Sequence, residues 1–137
     1  MNRKIVFAFA PIFFFLLSFP NVQGAMVRLS LEQLVEDADL VIIGIVEGVV
    51  SELIMGKIFS FATISINSKI KGESGHTPDE IIVRFPGGTV GDIAVKVEDS
   101  PDYKQGEKVL IFLKKIPKQP YYRTLGASQG RFLIKDH

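Results

Sequence analysis

The sequence predicts a small, mainly β protein: a barrel or strongly coiled sheet of about six strands with one short helix at its start. Long stretches of the chain alternate apolar and polar residues with a period of two, as strands do. Clusters of Gly, Pro, Asp and Ser separate these stretches. Helical spacing of apolar residues occurs once in the predicted domain, in residues 31–38. A small closed sheet is the architecture that fits these patterns.

The first 24 residues predict a secretory signal peptide. Arg3 and Lys4 form a basic start, and residues 5–19 form an uncharged apolar run. We expect cleavage after Gly24, because the run is shorter than the roughly 20 apolar residues of a spanning helix. The protein is then secreted, either periplasmic or extracellular, and meets the membrane only through this peptide before cleavage. Residues 25–137 form a single domain, long enough to bury a core.

The predicted helix begins at a capping box, in which Ser30 is the N-cap and Gln33 the third helical residue. It is followed by a long strand over residues 40–50. Gly44 and Gly48 lie four residues apart in this strand, and such glycines are typical of a strand that bends sharply to serve two sides of a barrel.

A glycine turn at residues 55–57 leads into a second long strand over residues 58–70. One face of that strand is predicted to carry Ile58, Ser60, Ala62, Ile64, Ile66, Ser68 and Ile70. The later strands are predicted at residues 80–85, 91–97, 108–114, 121–125 and 131–135. The strand over 108–114 reads as buried on both faces, and the last two strands read as a hairpin around residues 126–130.

The absence of cysteine excludes several classes of protein. Disulfide scaffolds, thiolate zinc sites, cysteine nucleophiles and thioether lipid anchors all require at least one Cys. Charge is more informative by region than in total. Loss of the signal peptide changes the net charge from +1 to −1, and within the mature chain residues 25–56 carry −5 whereas residues 104–137 carry +6.

One motif suggests an enzyme. Residues 126–130 match G-x-S-x-G, the nucleophile elbow of α/β-hydrolases, with Ser128 as the nucleophile. That elbow requires a following helix and a later acid and His, whereas only seven residues remain and they read as a strand. A loop that uses its glycines for turn geometry is the favoured interpretation. We therefore predict no enzyme and no catalytic residues, with a serine hydrolase as the disfavoured alternative.

No metal or cofactor is predicted. His76 lies in a polar loop without His or Cys at ligand spacing, as a solvated histidine does. Glu98, Asp99 and Asp102 offer oxygens for Ca²⁺, but the pattern lacks the glycine and terminal Glu of an EF-hand loop. A solvated acidic loop is the favoured interpretation.

A candidate ligand-binding edge combines aromatic and guanidinium groups near predicted turns. Its residues are Arg84, Tyr103, Tyr121, Tyr122 and Arg123. Charge together with aromatic surface is suited to phosphate or an anionic glycan. The competing interpretation is an ordinary solvated sheet face whose Tyr rings cover the core.

Several short segments together resemble a family of small secreted bacterial and archaeal proteins. They are the pattern from Leu31 through Ala38-Asp39-Leu40-Val41-Ile42 to Val46, Ile70-Lys71-Gly72, Phe85-Pro86-Gly87-Gly88, residues 106–113 and Gln129-Gly130-Arg131-Phe132. Their order is also remotely similar to the OB-like barrel of tissue inhibitors of metalloproteinases and netrin-type modules. The resemblance implies an OB-like fold, and it does not imply zinc chelation through an N-terminal Cys, since Ala25 is the expected first residue.

The leading functional hypothesis is an exported, non-enzymatic binding or accessory module. Its expected partner is another envelope or secreted protein or an anionic glycan, with no nucleic acid expected. The alternative, which rests on the remote resemblance, is an inhibitor or regulator of an extracytoplasmic protease.

Overall fold

A computed structural model describes residues 27–135. The predicted signal peptide and its cleavage site lie outside these residues. The elements in chain order are α1 (Leu31–Asp37), β1 (Leu40–Ile54), β2 (Lys57–Lys71), β3 (Glu80–Pro86), β4 (Gly88–Val90), β5 (Ile93–Val95), β6 (Lys108–Lys115), β7 (Tyr122–Thr124), a 3₁₀ turn (Ala127–Gly130) and β8 (Arg131–Leu133).

Five strands close into a ring in the order β1-β2-β3-β7-β6, with β6 pairing back onto β1. Neighbours in this ring are antiparallel except β3 and β7, which are parallel and meet at Val83 and Tyr122. The prediction of a small OB-like barrel of about six strands with one short helix at its start is therefore confirmed. Within residues 27–135, the strands β4 and β5 pair only with each other.

Two apolar cores lie on opposite sides of β6, as its uninterrupted apolar run predicts. Val109, Ile111 and Leu113 point into the barrel and pack with residues such as Ile64. Phe112 points outward and packs under α1, in a cluster formed by Leu34, Ala38, Val41, Phe112 and Leu125. The helix is held at its start by the predicted capping box, in which Ser30 Oγ accepts from Gln33 N at 3.1 Å.

The predicted bend in β1 is present at both glycines. The pairing of β1 with β2 shifts register between Ile43 and Gly44 and again between Val46 and Gly48. Position 44 has room only for glycine, because a Cβ there would lie 2.5 Å from the carbonyl oxygen of Ser65. Gly48 has open space around it, so its role is confined to the bulge.

The predicted C-terminal hairpin is wrong. β7 and β8 do not pair with each other, because both pair antiparallel with β6, at residues 113–115 and 109–111. They are two parts of one interrupted strand, and residues 126–129 loop out between them. A Cβ at Gly130 would collide with the carbonyl oxygen of Leu125 and would lie 3.0 Å from the carbonyl oxygen of Phe112 in β6.

Candidate functional site

The five residues predicted to form a ligand-binding edge occupy three different places. Arg84, Tyr121 and Arg123 lie together on the outside of the barrel, Tyr122 lies at one end of it, and Tyr103 lies in the core. Alternation explains why Tyr122 points away from its neighbours Tyr121 and Arg123, whereas Tyr103 lies in a segment without regular structure.

Tyr103 is 3% exposed and packs inside the barrel against Phe85, with ring centroids 5.3 Å apart. Its hydroxyl forms a hydrogen bond of 2.6 Å with Thr124 Oγ1. Burial raises the pKa of Tyr103 to about 12, although the Thr124 hydrogen bond and the Arg131 charge act in the opposite direction. This ring therefore supports the barrel from within.

Tyr122 packs partly against the barrel core. It also lines a cavity of about 370 Å³ at this end of the molecule, with Leu40 and Ile66 as further apolar lining and Lys69, His76 and Lys115 among the polar residues. His76 itself lies on the exposed loop between β2 and β3.

The remaining three residues belong to an arginine–aromatic face, made of Phe59, Phe61, Arg84, Tyr121 and Arg123, in which the Phe61 ring is itself buried at 8% exposure. The guanidinium of Arg84 lies over the Phe59 ring, 5.0 Å from its centroid. The rings of Phe61 and Tyr121 are 5.1 Å apart and inclined by 58°. Such contacts hold the aromatic rings and the Arg84 side chain in fixed positions on the outside of the sheet.

Arg84 and Arg123 are neighbours because the strands that carry them are in register. Val83 pairs with Tyr122, so the next residue on each parallel strand points outward at the same level. Both arginines line one cleft of about 340 Å³. Within residues 27–135 the ion pairs are Lys114 with Asp39 and Arg131 with Glu107, so neither arginine of the face has a carboxylate partner within 4.0 Å there.

The opposite wall of this cleft is acidic. Glu98 and Asp99 line it on the loop that follows β5. The loop is fixed in place, because the carbonyl of Asp99 accepts from Ser128 N at 3.0 Å and Ser100 Oγ donates to the Pro86 carbonyl at 3.0 Å. Two carboxylates therefore share the cleft with the two arginines and weaken its attraction for an anion.

Sequence reasoning missed Phe59 and Phe61, although the signal was present. The period-two pattern of β2 assigns even-numbered residues to the core, and this places both phenylalanines on the other face. What the sequence did not contain was the lateral order of the strands, which brings β7 beside β3.

Ser128 lies in the 3₁₀ turn between β7 and β8, after Gly126 and Ala127, which both have positive φ. The hydrolase elbow requires an α-helix after the serine, and here a strand follows the turn. Among residues 27–135 no three acidic or histidine side chains are placed to share a metal ion. Over the same residues, no helix has the length and apolar character needed to span a bilayer.

Comparisons with protein-family models, with curated proteins and with solved structures find no match to this chain.

Proposed function

We propose that the protein is an exported, non-catalytic binding module that holds an anionic glycan on its arginine–aromatic face. The observation that carries the proposal is the pair Arg84 and Arg123, which occupy neighbouring register positions on β3 and β7, line one cleft and lie beside packed aromatic rings. Guanidinium groups donate in a planar fork that matches carboxylate or sulfate oxygens. Sugar rings present apolar C–H faces that suit aromatic surface.

The position of the face supports the same proposal. OB-fold proteins bind extended ligands, oligosaccharides among them, on the face made by their second and third strands. The arginine–aromatic face lies on β2 and β3 and extends to β7. This support is an analogy between folds, whereas the guanidinium pair is a property of this chain.

The test is a calorimetric titration with a heparin hexasaccharide at two salt concentrations. The protein is used without its predicted signal peptide. We expect binding that weakens as salt rises, because charge supplies much of the attraction. The double variant Arg84→Gln/Arg123→Gln should weaken binding at least tenfold. Lys108→Gln is the matched control, since it removes one positive charge from β6, which carries none of the face residues, and should change binding less than twofold.

A second variant uses the acidic wall of the cleft. Replacing Glu98 and Asp99 by Gln and Asn should strengthen hexasaccharide binding several-fold, because the two carboxylates repel the ligand. Equal binding by the double arginine variant and the unaltered protein would overturn the proposal. So would tighter binding of a single-stranded oligonucleotide than of the hexasaccharide, or inhibition of a secreted protease without any binding of the glycan.

A further inference from the structure

The long strand β1 leaves the barrel with one edge uncovered. It pairs with β6 only from Leu40 to Ile45, and Val46 completes this side through hydrogen bonds with Gly106 and Glu107. The strand then continues to Ile54, paired with β2 alone. Among the residues that the structure describes, no backbone group hydrogen-bonds to residues 47–54 from the side away from β2. We refer to these eight residues as the free edge.

The bulge at Glu47 decides which backbone groups face outward. Val46 directs its N–H and C=O away from β2. Because the bulge adds one residue to β1, the alternation shifts, and Gly48, Val50 and Glu52 bond to β2. The N–H and C=O groups of Val49, Ser51 and Leu53 therefore point out of the free edge, with the spacing that an added strand requires.

The side chains around this edge are apolar and uncovered. Val50 is 62% exposed, Leu53 57% and Met55, at the turn, 98%. Ile93 and Val95 of the β4–β5 hairpin are also exposed, and β4 lies against β1 and β2 close to Ser51. Val50 and Leu53 point to opposite faces of the strand, so exposed apolar side chains flank the free edge on both sides.

The charges at the edge select the kind of partner. Glu47 and Glu52 are exposed, and residues 47–56 contain no basic side chain. Two copies of the chain joined antiparallel along this edge would place four carboxylates on one seam, and like charges across a strand pair are unfavourable. A strand that alternates apolar and basic residues supplies both the apolar contacts and the missing positive charge.

We propose that the free edge of β1 binds an extended, basic and apolar segment of a partner protein by strand addition. The segment adds beside Val49, Ser51 and Leu53, its backbone completes their hydrogen bonds, and its Lys or Arg side chains meet Glu47 and Glu52. This site is separate from the arginine–aromatic face, so the two proposals stand or fall independently.

The probe is a seven-residue peptide, acetylated and amidated at its ends, that alternates lysine and valine. Amide hydrogen exchange by NMR is measured with and without it. We expect slowed exchange at the amides of Val49, Ser51 and Leu53, with little change at Val50 and Glu52, which already bond to β2. A peptide with glutamate in place of lysine, and one N-methylated at alternate amides, should each bind at least tenfold more weakly.

Two variants complete the test. Leu53→Pro removes one outward N–H and should weaken binding about tenfold, whereas Leu53→Val should not, and edge strands accept proline at such positions. Glu47→Lys/Glu52→Lys leaves the backbone unchanged and should reverse the preference, so that the glutamate peptide binds more tightly. Arg84→Gln/Arg123→Gln should bind the lysine peptide normally.

Three results would overturn the proposal. They are binding of the lysine peptide without protection at the three outward amides, equal affinity for the lysine and glutamate peptides, and self-association of the protein that Leu53→Pro abolishes. The last result would identify a second copy of the chain as the occupant.

Discussion

The two halves of β1 differ in their surroundings and in their charge. Residues 40–45 lie between β2 and β6 in the closed ring, and most of their side chains are buried. Residues 47–54 lie beyond the ring, where the described part of the chain gives them one neighbouring strand, and Val50 and Leu53 are largely exposed. Residues 47–54 also contain Glu47 and Glu52, whereas residues 40–45 contain no charged side chain, so the halves differ in charge as well as in their second neighbouring strand. Four predictions test this contrast, from the largest expected effect to the smallest.

The first compares two glycines of β1. Gly44→Ala places a Cβ within 2.5 Å of the Ser65 carbonyl oxygen and 2.7 Å of Ile64, so it should lower the free energy of unfolding by about 3 kcal/mol. Gly48→Ala meets open space and should change it by less than about 0.5 kcal/mol. Urea unfolding measures both, and similar losses for the two variants would contradict the difference between the halves.

The second compares two valines four residues apart on the same strand. Val46 is 1% exposed, and Val46→Ala should cost about 2 kcal/mol through lost burial and the cavity it leaves. Val50→Ala removes the same atoms from a largely exposed side chain and should cost less than about 0.5 kcal/mol. A loss above about 1 kcal/mol in the free energy of unfolding for Val50→Ala would mean that the free edge is covered in solution.

The third concerns the point where β1 leaves the ring. There the backbone carbonyl of Glu107 accepts a hydrogen bond from Val46 N. Arg131 donates to the carboxylate oxygen Oε1 of Glu107 at 2.6 Å, and the side chains of Arg131 and Glu107 are mostly buried. Burial alone would raise the pKa of Glu107, but the Arg131 hydrogen bond, the Lys104 N–H and the charges of Arg131 and Lys104 outweigh it and lower the pKa.

A lowered pKa means that the stabilisation from this carboxylate is present above its ordinary value near 4.5 and is lost as pH falls toward the folded-state pKa. Glu107→Gln should cost about 1–2 kcal/mol at pH 7. It should also reduce the acid sensitivity of the unfolding midpoint. An unchanged slope of stability against pH below 4.5 would remove Glu107 from this role.

The fourth compares two hydrogen-bonded hydroxyl pairs, Tyr103 with Thr124 inside the ring and Ser51 with Ser60 beside the free edge. Tyr103→Phe breaks the bond to Thr124 and should cost about 1 kcal/mol, and Ser51→Ala breaks the bond of 2.8 Å to Ser60 at a less enclosed position and should cost less. Because burial raises the pKa of Tyr103 to about 12, the stabilisation from its neutral form is complete below pH 10 and is lost as pH rises through about 12. Tyr103→Phe should reduce this alkaline loss, which thermal unfolding between pH 9 and about 12 measures.

The local sequence pattern was sufficient to predict those elements whose structure depends on residues close together in the chain. The capping box at Ser30, the alternation of β2 and the two-sided burial of β6 are all readable from short stretches of chain. It was insufficient where the outcome depends on which distant strand lies alongside. The spacing of β7 and β8 along the chain is typical of a hairpin, yet both strands pair with the same edge of β6 instead of with each other.

The candidate site shows the same division. The placement of Arg84 and Phe61 on one face follows from alternation within the β2–β3 meander. The arrival of Tyr121 and Arg123 beside them depends on β7 crossing to β3, which no local signal near residue 121 specifies. Tyr103 lies in a segment without regular structure, where periodicity gives no information about burial.

The single parallel pair between Val83 and Tyr122 has a consequence for how the chain folds. The β1–β2–β3 meander joins strands that follow one another in sequence, so its loops close at small entropic cost. The β1–β6 and β3–β7 contacts join distant parts of the chain, and contacts of that kind slow folding. We expect the meander to form early and the seam between β3 and β7 to close last. A chain weakened at this seam would populate an open, curved sheet before it unfolds.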